Sequence, residues 1–169
     1  MNYLKIAIEL AHNKEVFRSL LHGVEKEQYL WKPAADKWCL LEVVCHLYDE
    51  ECEDFRARVQ QILHNPDHAL APIDPEGWVI DRKYLSKDYD HVLHAFLVER
   101  GRSVNYLNAL VTPMWGNTNM HPVLGPVNAS LLLSNWLAHD YLHIRQINEL
   151  KYLYFCSRTD EPLTYAGNW

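Results

Sequence analysis

Residues 86–111, SKDYDHVLHAFLVERGRSVNYLNALV, gather Tyr89, Val92, Leu93, Phe96, Leu97, Val104 and Leu107 into one narrow stripe when each residue advances about 100° around a helix axis. Such a stripe must be covered by an element of similar length. Ser86 is placed to cap its N-terminus. Three further segments read the same way. Residues 3–24 carry Leu4, Ala7, Ile8, Ala11, Leu20, Leu21 and Val24 between charges. Residues 39–63 repeat Leu40, Val43, Val44, Leu47, Phe55 and Ile62 at helical spacing. The last helix is expected from about 126 to 154, with Pro126 near its start, where a missing N–H costs nothing.

The intervening segments are of another kind. WKPAADKW separates the first two helices, 64–86 contains three prolines and a glycine, and 112–125 is rich in turn residues. The tail from Cys156 reads as irregular, and no repeat or alternating strand pattern stands out. With 169 residues, only 6 glycines and 49% hydrophobic residues, the expectation is one all-α domain over 1–169: a four-helix bundle with long inter-helix loops.

A net charge of −6, with no patch of lysine and arginine interleaved with aromatics, argues against nucleic acid as a partner. The apolar runs are too short to span a membrane and the N-terminus does not read as a leader, so a soluble cytoplasmic protein is expected. Cys39, Cys45, Cys52 and Cys156 have no C-x-x-C spacing and are expected as reduced thiols.

Ten histidines can be sorted by their place on each helical wheel. His91 and His94 fall opposite the stripe of their helix and should face water. His64, His68 and His121 lie in loops, and His12 and His22 have no partner at ligand spacing. His139 and His143, in NWLAHDYLHIRQI, instead fall in the arc of Leu132, Trp136, Ile147 and Leu150. One turn apart on an inward face, both can reach one divalent ion, though two core histidines held by hydrogen bonds would give the same pattern. The best third ligand is His46, at the edge of the second helix's stripe. Three histidines would leave coordination positions open for water or substrate. Asp49 and Glu50, one turn beyond His46, could orient it, accept a proton, add a ligand or simply be solvated. Asp140 also points inward and needs a partner, either a ligand histidine's second nitrogen or Arg100.

The segments DKWCLLEVVCHLYDEE and VLGPVNASLLLSNWLAHDYLHIRQI together resemble the DinB-like, or YfiT-like, superfamily of four-helix metal-binding proteins. The family's Trp-Ser-x-x-Glu-x-x-x-His segment is carried by Trp38, Glu42 and His46, with Asp49 where the family often has Asp. Its His-Asp-x-x-His-x-x-Gln-Ile segment is carried by His139, Asp140, His143, Gln146 and Ile147. Arg100, HPVLG and the terminal YAGNW also echo the family. One departure is Cys39 in place of the usual serine, which weakens the cap of the second helix unless Asp36 or the backbone takes over.

The resemblance implies His46, His139 and His143 as ligands of zinc or nickel, and a homodimer. It also implies a metal-dependent enzyme that activates a thiol or water: either a thiol S-transferase using a low-molecular-weight thiol or a hydrolase drawing on Asp49 or Glu50. The alternative is a non-enzymatic metal or small-ligand module serving stability, storage or sensing in a stress response. Loops 64–86, with Trp78 and Tyr84, and 112–125, with Trp115, could either roof the cleft or anchor themselves to the bundle. The substrate is not legible in the sequence.

Overall fold

A computed structural model describes residues 2–167. Four long helical stretches are present where the stripes predict them: α1 (Tyr3–Leu21), α3 (Leu40–Asp49) continuing through a π-helical turn (Glu50–Phe55) into α4 (Arg56–His64), α6 (Tyr89–Ala109) and α7 (Ala129–Cys156). The short helices α2 (Lys26–Tyr29) and α5 (Pro75–Asp81) lie in the connections. α1 packs on α6 and α7, and the α3–α4 stretch packs on the same two. The first two long helices therefore sit diagonally across the bundle. No helix among the described residues is long and apolar enough to cross a membrane.

Side-chain caps fix the helix starts. Asn2, Asp88 and Asn128 accept from the backbone N–H groups of Leu4, His91 and Leu131 at 2.8–3.1 Å. At α3, the Glu42 carboxylate accepts from the Cys39 N–H at 2.8 Å and from Lys32 Nζ at 2.8 Å. Cys39 and Glu42 thus form a reciprocal capping box at this end, and the cap does not fall to Asp36, which pairs with Lys37.

Several expectations need correction. Ser86 does not cap α6; its hydroxyl donates to the Lys83 carbonyl in a 3₁₀ turn (Tyr84–Ser86), and Asp88 caps instead. Segment 64–86 is partly helical, because Pro75 stands at the start of α5 behind the capping Asp74 and so opens a helix rather than breaking one. Residues 118–128 form an antiparallel hairpin, β1 (Thr118–His121) with β2 (Gly125–Asn128), paired Thr118↔Asn128 to His121↔Gly125. Pro126 lies in β2, and α7 begins at Ala129. The hairpin is tied down by the Asn119 amide, which donates to the Pro66 and His68 carbonyls. In the tail, Leu163–Ala166 form a 3₁₀ turn; Asn168 and Trp169, the end of that expected irregular segment and of YAGNW, lie outside the described residues.

The core has two lobes. One joins Phe17, Leu40, Val43, Val44, Leu47, Phe96 and Ile147; the other joins Leu10, Val59, Ile62, Leu107, Leu133 and Trp136. Trp78 and Tyr84 are buried in the first, and Trp115 packs against the second with its ring 5.0 Å from Tyr3. These aromatics anchor their loops to the bundle.

Candidate metal centre

His46 stands on α3 among apolar neighbours, and His139 and His143 stand one turn apart on α7. The packing of these two helices brings the three rings together. His46 is buried and the other two are half-buried. The three residues offer ligand atoms within 4.8 Å of one another. The Nε2 of His139 lies 3.2 Å from that of His46 and 3.0 Å from that of His143. Two ligands at about 2.0–2.1 Å from a tetrahedral ion stand about 3.3 Å apart, so the observed spacing is close to that of a loaded site.

Proton placement strengthens this. The side-chain oxygen of Gln146 lies 2.8 Å from His143 Nδ1. It can only accept, so Nδ1 carries the proton and the Nε2 lone pair of His143 faces the cluster. One ring N–H can aim along only one of the two Nε2 contacts, leaving lone pairs opposed across the other, an arrangement that a cation relieves. His46 Nδ1 is buried without a hydrogen-bond partner among the described residues.

Burial, assisted by neighbouring His143, pushes the pKa of His46 down to about 3. Burial and the neighbouring His143, His46 and Arg100 push His139 down to about 2. His143 is also lowered by burial, against the pull of Gln146. All three are therefore neutral near pH 7, the form that binds metal.

The carboxylates take different places. Asp140 is fully buried and receives Arg100 bidentately at 2.6 and 2.7 Å, with Asn13 Nδ2 at 3.1 Å; of its two expected partners, Arg100 is the one observed. Asp49 accepts from the Tyr84 hydroxyl at 2.6 Å and pairs with Arg82 at 3.0 Å. It lines a cavity of about 610 Å³ with Cys45, Tyr48 and Arg82. Burial raises its pKa, against Tyr84 and Arg82. Burial, and then the adjacent Asp54, pushes Glu50 up to about 8, and Arg58 holds Asp54 at 2.5 Å. Neither Asp49 nor Glu50 contributes to the ligand-atom cluster. His12, His22, His64, His68, His91 and His94 are exposed, as their wheel and loop positions predict, and His121 is half-buried.

Sequence reasoning missed Glu51. Its Oε2 accepts from Arg100 Nε at 2.9 Å and from the Trp136 indole at 3.1 Å. A signal existed: Leu47, Glu51 and Phe55 are four apart, which puts a carboxylate inside the apolar stripe.

Comparison with known proteins agrees with the fold. YfiT from Bacillus subtilis, described as a probable metal-dependent hydrolase with an unusual four-helix bundle topology, matches with a TM-score of 0.78 at 20% identity. The match covers 88% of this chain and 85% of that one, and at this identity it shows the fold alone. Comparison with curated proteins gives no match. The family comparison matches residues 9–147, which include all three histidines and Asp140, and on that match the chain belongs to the DinB superfamily.

Proposed function

We propose that this protein is a metal-dependent enzyme whose dication, zinc or nickel, is held by His46, His139 and His143 and activates a water or a thiol. The observation that carries the reading is the convergence of three neutral imidazoles, their Nε2 atoms 3.0 and 3.2 Å apart about His139. When bound, the dication supplies Lewis acidity, lowering the pKa of a water or thiol at its open position. Gln146 fixes the tautomer of His143. A hydrolase would draw on Asp49 or Glu50 for proton transfer, and Asp49 lines a cavity whose wall includes none of the three histidines. Hydrolysis uses such groups, whereas transfer of a low-molecular-weight thiol needs no added base because a thiolate is itself a good ligand. The description of YfiT as a probable metal-dependent hydrolase favours the first of these. The reading also includes a cytoplasmic homodimer acting on a small molecule.

Elemental analysis of the purified protein beside His46→Ala and His143→Ala tests it. The wild type is expected to carry close to one equivalent of metal and both variants far less; wild-type metal content in both variants overturns the three-histidine site. A non-enzymatic role in stability, storage or sensing gains if metal removal unfolds the chain while the loaded protein turns over neither hydrolysable nor electrophilic probes with thiols.

A further inference from the structure

Outside the histidine cluster, the most demanding feature of the molecule is a buried ion triad. Arg100 of α6, Glu51 of the π-helical turn and Asp140 of α7 are each at most 1% exposed. Arg100 bonds to Glu51 Oε2 and to both oxygens of Asp140, and Asn13 of α1 adds a bond to Asp140. The cluster thus ties all four walls of the bundle together, α1 through Asn13. Ion clusters this deep often contribute nothing to stability compared with apolar residues of similar volume; their best-attested use is to fix register.

The register in question is that of α7. Asp140 follows His139 directly, and Trp136, three residues before it, donates to Glu51. Phe55, four residues after Glu51, stacks on Trp136 at 6.0 Å and lies 5.0 Å from the His139 ring. α7 is therefore gripped on both sides of His139. A side chain reaching about 5–6 Å from a helix axis moves about 1 Å when the helix turns by 10°. Metal–ligand distances tolerate only about 0.2 Å, and apolar packing alone is too permissive to hold a helix to that.

Resting on the metal reading above, we propose that Arg100, Glu51 and Asp140 are positioning residues of the metal centre, which set the rotation of α7 and with it the Nε2 of His139. The π-helical turn is the part of the device that delivers Glu51 to Arg100.

Co²⁺ titration followed by visible absorption, with chelator competition for affinity and urea denaturation for stability, tests this. The probe is Co²⁺ alone, added to chelator-treated protein. In the combined variant Glu51→Met, Arg100→Met, Asp140→Leu, the cooperative fold is expected to persist, with stability lost only to the Asn13 amide and Trp136 indole that the variant leaves unpaired. Its Co²⁺ affinity is expected to fall about ten- to a hundredfold, with a weaker and shifted visible band. Arg100→Lys, which keeps the charge but loses the fork, is expected to change in the same direction. It decides the matter if the combined variant does not fold. A wild type that binds Co²⁺ while the folded variants match it in affinity and spectrum overturns the positioning role alone. A wild type that binds no Co²⁺ overturns the metal reading and this inference with it.

Discussion

Glu50→Gln is expected to change how stability varies with pH, and the size of the change follows from the burial of one carboxyl group. Glu50 is 5% exposed, and burial followed by the Asp54 charge pushes its pKa from 4.5 to about 8. Between those values the folded chain keeps a proton that the unfolded chain releases. Its contribution is therefore complete below pH 4.5 and is lost progressively as pH rises to 8, at up to about 1.4 kcal/mol per unit. The three histidines act oppositely. With folded values lowered to about 3 for His46, about 2 for His139 and below 6.5 for His143, they bind protons mainly when unfolded, so their contribution rises with pH through 6.5 and is complete only about a unit above it.

Wild type and Glu50→Gln share the histidine contribution, so their difference isolates the carboxyl group, and integration from pH 6.5 to 8 gives a loss of about 1.5–2 kcal/mol. Glutamine has the shape of the protonated acid, can still donate to Asp54, and cannot ionise. Urea denaturation of chelator-treated wild type and Glu50→Gln at pH 6.5 and 8.0 measures the effect. The variant is expected to gain about 1.5–2 kcal/mol on wild type between the two conditions, a visible fraction of the roughly 5–15 kcal/mol that holds a domain folded. Parallel profiles would refute the argument that burial keeps Glu50 protonated.

Two other predictions concern single hydrogen bonds. Gln146→Leu removes the acceptor that fixes the His143 tautomer and is expected to weaken zinc or nickel binding about tenfold or more, read by chelator competition, with secondary structure unchanged by circular dichroism. Asp88→Ala removes the bond to the His91 N–H and should lower stability by about 1 kcal/mol, while Ser86→Ala, outside the cap, should cost much less; equal losses in thermal denaturation would return the cap to Ser86.

The parts of the fold legible in the sequence are those written as long apolar stripes. Leu40, Val43, Val44 and Leu47, or Val92, Leu93, Phe96 and Leu97, repeat because each helix must bury one face, and every one of them is buried. The hairpin left no such trace. Its strands are four residues each, one contains Pro126, and it is held by the Asn119 amide and the buried Val127 rather than by an alternating face. α5 escaped for a different reason: a proline behind a capping aspartate starts a helix, and the pair Asp74–Pro75 reads as a breaker only when the proline is taken alone.

At the site, the histidines were legible because ligation needs a shared direction, and helical phase states direction directly. Acidic roles were not, because the run DEECED offers five carboxylates in six positions and the regular wheel does not know of the π turn. Across Glu50–Phe55 the wider turn changes the phase, so Glu50 and Glu51 are both buried while Glu53 remains exposed on Arg82. Glu51 could have been found by asking which acid in that run falls four residues from apolar neighbours on both sides. Its partner could then have been sought among arginines within a stripe, and Arg100, four residues after Phe96 and seven before Leu107, is one. The same test separates a buried carboxylate with a cation to meet, such as Glu51 or Asp140, from one that must keep its proton, such as Glu50: the first has a guanidinium in register on a facing helix, and the second has Asp54 one turn along its own.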